Sequence, residues 1–155
     1  MPVHNAEIAA LLERYATLLE IDGANPFRVR AYRTAAHSMR DAPESVEAML
    51  ARGASLDALP GIGADLAAKI AAIARTGRLH ELDEIEMRLP ASLAELAAIP
   101  GLGPKRVGAL YRELGIASSE TLAAAAAAGA LHRLPGFGER TERHILKALA
   151  RGREG

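Results

Sequence analysis

One pentapeptide occurs three times in this chain, and no other feature limits its fold so much. Leu59-Pro60-Gly61-Ile62-Gly63, Ile99-Pro100-Gly101-Leu102-Gly103 and Leu134-Pro135-Gly136-Phe137-Gly138 share one pattern, apolar-Pro-Gly-apolar-Gly. The copies start 40 and then 35 residues apart, a spacing of one supersecondary unit per copy. A short apolar segment leads into each copy, and an amphipathic segment leaves it.

Each position has a physical reason. Proline ends the incoming helix, because it lacks an N–H and disfavours helical geometry in the residue before it. The first glycine takes backbone angles that other residues avoid. The middle apolar residue tucks back between the two helices. The second glycine keeps a side chain away from the first turn of the outgoing helix, whose N–H groups lack intrahelical partners. Those N–H groups and the helix dipole make a seat for an anion, with phosphate the natural candidate. A helix-hairpin-helix of this kind is expected to hold nucleic-acid backbone without reading bases. The alternative for any one copy is a turn that only packs.

Bulk composition narrows the partner. The 155 residues suffice for one ordinary domain or two small ones, and half of them are apolar. Phe27, Phe137, Tyr15, Tyr32 and Tyr111 are the only aromatic residues, too few for a base-stacking platform. The absence of cysteine excludes disulfides and thiolate metal sites. No apolar run is long enough to span a membrane, and Glu7, Glu13 and Glu20 stand where a signal sequence would be apolar. A soluble, cytoplasmic monomer is expected. Nineteen Lys and Arg balance nineteen Asp and Glu, so the net charge is zero. The charge is segregated, however: residues 26–40 carry +4 and residues 101–155 carry +4, while 41–66 and 81–100 carry −4 each. Segregation of this sort can present basic stripes; alternating solvated helix faces are the competing reading.

Helical spacing runs through the whole chain, and no segment alternates as a strand does. Asn5 is placed to cap a helix carrying Ile8, Leu11, Leu12, Tyr15, Leu18 and Leu19, which Gly23 stops. Asn25-Pro26 supplies cap and first-turn proline for a second helix to about Arg40. Its Tyr32, Ala35 and Met39 share one face, with Arg30, Arg33, His37 and Arg40 opposite. Pro43 is expected to open a third helix ended by Gly53, and Ser55 to cap a short helix into the first pentapeptide. Ala64 to Thr76 leaves that pentapeptide with Leu66, Ile70 and Ile73 inward. An acidic helix follows over about His80–Arg88, with Leu82, Ile85 and Leu89 on its apolar side. Ser92-Leu93-Ala94-Glu95 fits a capping box. Pro104 starts a helix that buries Val107, Leu110 and Leu114 and ends at Gly115. Ser118 or Ser119 caps an alanine-rich helix ended by Gly129. From Glu139 to Arg151, Arg140, Arg143, Lys147 and Arg151 line one face, opposite Thr141, Ile145, Ala148 and Leu149. The fold class is all-α with tandem helix-hairpin-helix repeats. The expected domains are 1–88, with the first hairpin, and 89–155, with the second and third.

Gly23-Ala24-Asn25-Pro26-Phe27-Arg28-Val29-Arg30-Ala31-Tyr32 followed by three hairpins resembles the N-terminal part of bacterial family X DNA polymerases, over roughly residues 5–150. The resemblance implies a small lyase-type domain around the first hairpin and a fingers-like subdomain around the second, binding gapped, nicked or duplex DNA. It implies backbone amides of Gly61, Gly63, Gly101, Gly103, Lys105 and Arg106 facing phosphates. It also implies a monovalent cation, Na⁺ or K⁺, on backbone carbonyls of Asp57, Leu59 and Ile62 and of Ala97, Ile99 and Leu102. In animal members a lysine on the helix after the first hairpin removes a 5′-deoxyribose phosphate through a Schiff base. Lys69 matches that position, and Tyr32 and Arg33 match its pocket. Asp65, one turn before Lys69, replaces a further lysine of the family and would hold the amine protonated.

The family's metal-binding aspartates lie in a palm domain beyond the region matched here, so a polymerase fragment or a free-standing relative of the DNA-holding part is expected. His4, His37, His80, His132 and His144 lack metal-ligand spacing. The leading expectation is a non-catalytic DNA-binding module of base-excision-type repair. Amides of all three hairpins, including Gly136 and Gly138, would hold phosphates. Arg28, Arg30, Arg33, Lys105, Arg106, Arg140, Arg143 and Lys147 would supply charge. The alternatives are a deoxyribose-phosphate or abasic-site lyase using Lys69, and a helical protein-interaction module to which zero net charge would be the clue.

Overall fold

The computed structural model describes residues 3–154. Among them there are helices and turns and no strand. The elements are α1 (Asn5–Ile21), α2 (Pro26–Asp41), α3 (Val46–Ala51), α4 (Ala64–Thr76), α5 (His80–Arg88), α6 (Ser92–Ala97), α7 (Gly103–Leu114), α8 (Ser119–Ala127) and α9 (Glu139–Glu154). Single 3₁₀ turns at Leu56–Ala58 and Leu131–Arg133 enter the first and third pentapeptides. The fold is all-α, as the spacing of apolar residues implies. Among the described residues no helix is long and apolar enough to cross a membrane.

The chain divides into two compact units. Among the described residues the first comprises 3–19 and 24–88, the second 20–23 and 89–154. Ile8, Leu12, Tyr15, Tyr32, Met39 and Ile70 are at the centre of the first unit, each at most 4 % exposed. Leu93, Val107, Leu110, Leu122, Leu131 and Ile145 are fully buried in the second. The inward faces read from the sequence for α2, α4 and α5 are therefore the buried ones. Leu114 is the exception at 42 % exposure. It is the last residue of α7, and Gly115 turns the chain away immediately after it with φ +68°.

Several caps differ from expectation, those of Asn5 and Ser92 because a tertiary partner displaces the local one. Asn5 does not cap α1. Its side-chain amide donates to the Glu44 carbonyl at 3.0 Å and its Oδ1 accepts the Val46 N–H at 2.9 Å, tying the start of α1 to the start of α3. The His4 carbonyl accepts the first N–H groups of α1 instead. Pro43 does not open α3; Ser45 does, accepting the Ala48 N–H at 3.1 Å. Ser55 turns its hydroxyl to the Asp57 carboxylate and caps no N–H. The Ser92–Glu95 box is absent, since the Ser92 hydroxyl donates to the Ala117 carbonyl. A capping box does form at Ser118 with Thr121. Asn25 behaves as expected, accepting the Phe27 N–H at 2.8 Å.

Gly108 is a close-approach glycine that its sequence context conceals. A Cβ there would lie 2.4 Å from the Ile21 carbonyl oxygen, itself held at 2.9 Å by Arg112 Nη1. Backbone cannot step aside as a flexible side chain can. Gly108→Ala is expected to destabilise the second unit by about 1–3 kcal/mol, the range for overpacking a filled site, read as a shift of its urea midpoint. An unshifted midpoint would mean that α7 and residues 20–23 are not in contact.

Candidate functional site

The three pentapeptides fold into the same turn. The Ile62, Leu102 and Phe137 N–H groups each donate to the carbonyl three residues back, of Leu59, Ile99 and Leu134, at 3.1 Å in every copy. The first glycine follows proline and has φ +75°, +91° and +85° at Gly61, Gly101 and Gly136. Proline then a positive-φ glycine, closed by that hydrogen bond, is a type II turn. The middle residue is driven inward: Ile62 and Leu102 are 5 % exposed and Phe137 is 2 % exposed. Burying this side chain sets the direction in which the next helix leaves.

The second glycine faces outward. A Cβ built on Gly63, Gly103 or Gly138 meets nothing within 4 Å, so the space in front of α4, α7 and α9 is open. Gly63 is the N-cap of α4 in extended geometry, and no side chain caps that end. Gly103 departs from this pattern. Its φ is +77° and it already belongs to α7, with Pro104 beside it. Each outgoing helix thus presents N–H groups of its first turn to open space, and in α7 these include the amides of Lys105 and Arg106.

Side chains from elsewhere brace each turn, and the sequence reading did not find them. In the first unit the Ser38 hydroxyl donates to the Pro60 carbonyl. Thr34 lies so near Gly61 that a Cβ there would stand 2.6 Å from its methyl group. Helix α2 therefore holds the first turn in place. In the third hairpin the brace is Glu142, 8 % exposed, whose Oε2 accepts the Leu131 and His132 N–H groups at 2.9 and 3.2 Å. Its Oε1 lies 3.4 Å from His132 Nδ1. A carboxylate on those two N–H groups serves as the cap of the entering 3₁₀ turn.

The expected cations fall into two groups. Those of α2 are largely engaged within the first unit. Arg33 and Arg40 both reach Glu13, at 3.7 and 3.4 Å, and His37 reaches Asp41 at 3.1 Å. Arg28 donates to the Tyr15 hydroxyl at 2.8 Å, and the Arg30 guanidinium sits 5.9 Å from the centre of the exposed Phe27 ring. The basic stripe of α2 is thus laced with carboxylates. Helix α9 differs. Arg140, Arg143 and Lys147 are exposed, and with His144, Arg151, Pro100 and Gly101 they line a concavity of about 840 Å³ beside the second turn. Lys105 is exposed at the start of α7.

Lys69 lies on α4 with its Nζ 2.7 Å from Asp65 Oδ2 and 5.6 Å from the centre of the Tyr32 ring. Tyr32 in turn meets Tyr15 edge-on at 4.8 Å. Partial burial of the amine works to lower its pKa, but the hydrogen bonds and charges of Asp65 and Tyr32 outweigh it. The result is a pKa above the ordinary lysine value. The amine is therefore charged at neutral pH, and it gives up its proton only in strong alkali. A Schiff-base nucleophile needs the opposite shift. Among the described residues no group of three His, Cys, Asp or Glu side chains is placed to hold a metal ion.

Comparison with known proteins accords with this geometry. Residues 3–79 match the family described as a helix-hairpin-helix domain, and residues 93–151 match the SAM-like helix-hairpin-helix tandem. The chain is 34 % identical over 147 residues to the Bacillus subtilis protein named DNA polymerase/3′-5′ exonuclease PolX. The aligned part is 95 % of this chain and 25 % of that relative, so the chain spans about a quarter of the length of the curated relative it matches.

Proposed function

We propose that this chain, with its two tandem helix-hairpin-helix domains, grips the phosphate backbone of DNA without sequence preference, favouring gapped or nicked duplexes of the kind met in base-excision-type repair. One observation carries the reading: three type II turns of the same build each leave the N-terminus of a long helix open to solvent. A phosphate at such an end gains about 0.3–1 kcal/mol from the dipole and more from the N–H groups themselves. Lys105 and the exposed face of α9 add charge beside the second and third turns. Arg28, Arg30 and Arg33 contribute less, because each already has a partner within the first unit. Preference for gaps and nicks draws support from the similarity to part of a protein named as a DNA polymerase and 3′-5′ exonuclease.

A monovalent cation, Na⁺ or K⁺, belongs to this proposal. Leu59 and Ile99 carbonyls each accept one turn N–H and keep a second lone pair, the oxygen-donor chemistry such an ion takes. Together with the Asp57 and Ile62 carbonyls, and with those of Ala97 and Leu102, they would hold it against a phosphate oxygen.

Fluorescence anisotropy against a one-nucleotide gap with 5′-phosphate, the same gap without it, and intact duplex tests the reading. About six phosphate contacts predict a loss of roughly a thousandfold in affinity between 50 and 200 mM salt. Affinity insensitive to salt would rule out phosphate contacts. No binding even at low salt would favour a protein-interaction module instead. Borohydride trapping on an abasic gap addresses Lys69 separately: with its amine held charged by Asp65, no covalent adduct is expected. An adduct that disappears in Lys69→Ala would make the chain a lyase.

A further inference from the structure

Arg106 occupies a place that only one copy of the repeat provides. It stands five residues after the first glycine of the second turn; the same register carries Leu66 in the first copy and Thr141 in the third. Its Nη1 donates to the Gly101 carbonyl at 2.7 Å, and its Nη2 donates to the Gly136 carbonyl at a longer 3.4 Å. Its guanidinium carbon lies 5.8 Å from the centre of the Phe137 ring. Gly101 and Gly136 are equivalent positions of the second and third turns. One planar fork therefore joins the two turns at matching atoms, while its charge lies over the ring of the buried aromatic residue of the third.

We infer that Arg106 is a positioning residue that fixes the second and third hairpins at one spacing, and not a ligand of phosphate. The second unit contains two hairpins and carries the fork; the first unit contains one hairpin and has leucine in that register, buried in its core. Two of the five N–H donors are directed at protein carbonyls of the two turns, and these bonds fix the plane and position of the guanidinium between them. Lysine cannot replace it, because a single ammonium on a flexible stem has neither the fork nor the stacking face. The consequence for binding rests on the DNA reading above; the clamp itself does not.

Arg106→Lys and Arg106→Gln test this with two readouts. Hydrogen exchange by NMR on the free protein follows the Leu102 and Phe137 amides, which close the two turns. Both variants are expected to speed their exchange about tenfold or more, as the turns open more often. DNA affinity is then expected to fall about fivefold to tenfold in both variants alike, with the slope of affinity against salt unchanged. Should Arg106→Gln melt, Arg106→Lys alone decides, since it keeps the charge and the aliphatic stem. Unchanged exchange would overturn the clamp. Wild-type affinity in Arg106→Lys with a salt slope about one unit lower in Arg106→Gln would make Arg106 a phosphate ligand. If the wild-type protein binds no DNA, the proposed function fails, and exchange still decides the clamp.

Discussion

Gly63→Asp is expected to leave the first unit folded and slightly more stable, yet to weaken its hold on DNA by at least about tenfold, or 1.4 kcal/mol. Gly63 is the N-cap of α4 with φ −88° and ψ −179°, a conformation open to any residue, and a side chain there meets nothing within 4 Å. Aspartate is among the best N-cap residues and outdoes glycine by a few tenths of a kcal/mol. Its carboxylate would accept the same N–H groups that are proposed to receive phosphate. It would also add a repulsion of about 1 kcal/mol at 4 Å in water and more where the dielectric is lower. Thermal melting and DNA titration of this variant therefore move in opposite directions. A variant that is stable and binds like wild type would show that the end of α4 is not a phosphate seat.

Phe137→Ala should have the largest effect on stability. Phe137 is among the largest fully buried side chains, and the closing residue of the third turn. Truncating a buried phenylalanine costs about 3–5 kcal/mol, in transfer energy and in the cavity left behind. The ring over which the Arg106 guanidinium lies would go as well, about 0.5–1 kcal/mol further. Domains this small hold only about 5–15 kcal/mol in all. The variant is expected to lower the melting temperature of the second unit by more than ten degrees, or to leave it unfolded at 37 °C. A cost below about 1 kcal/mol would mean that the middle residue of the repeat does not anchor its hairpin.

The repeat made most of the fold legible. Pro-Gly at fixed places dictates a type II turn, and the apolar residue after it has to be buried, whatever surrounds it. The helix stops at Gly77 and Gly115 were equally readable, since both take positive φ at a helix C-terminus. Caps were less so. Asn5 and Ser92 each satisfy the local rule for a helix start, but their side chains go to partners that the tertiary fold brings near, while Ser55 turns to Asp57 two residues on. For Asn5 that partner is some forty residues away in sequence, at Glu44 and Val46.

The site shows the same division. The open helix ends follow from the glycines themselves. The braces do not: Ser38 under Pro60, Glu142 under Leu131 and Arg106 between two turns belong to long-range packing that no local pattern announces. Glu142 left one trace, being an acidic residue on an otherwise apolar stripe with Ile145 and Leu149. The ion pairs along the basic stripe of α2 were hidden for a related reason, since Glu13, which meets Arg33 and Arg40, lies on a different helix. The charge-holding pair of Asp65 and Lys69 was visible, because a spacing of four on one helix is a local fact.

The central claim is that the backbone amides at the turns hold the phosphates, and amide chemical shifts report on it directly. In an NMR titration with a gapped duplex, the largest shifts are expected at Gly61, Gly63, Gly101, Gly103, Lys105, Gly136 and Gly138, fading as salt is raised. Shifts confined to other surfaces, with these amides unmoved, would contradict it.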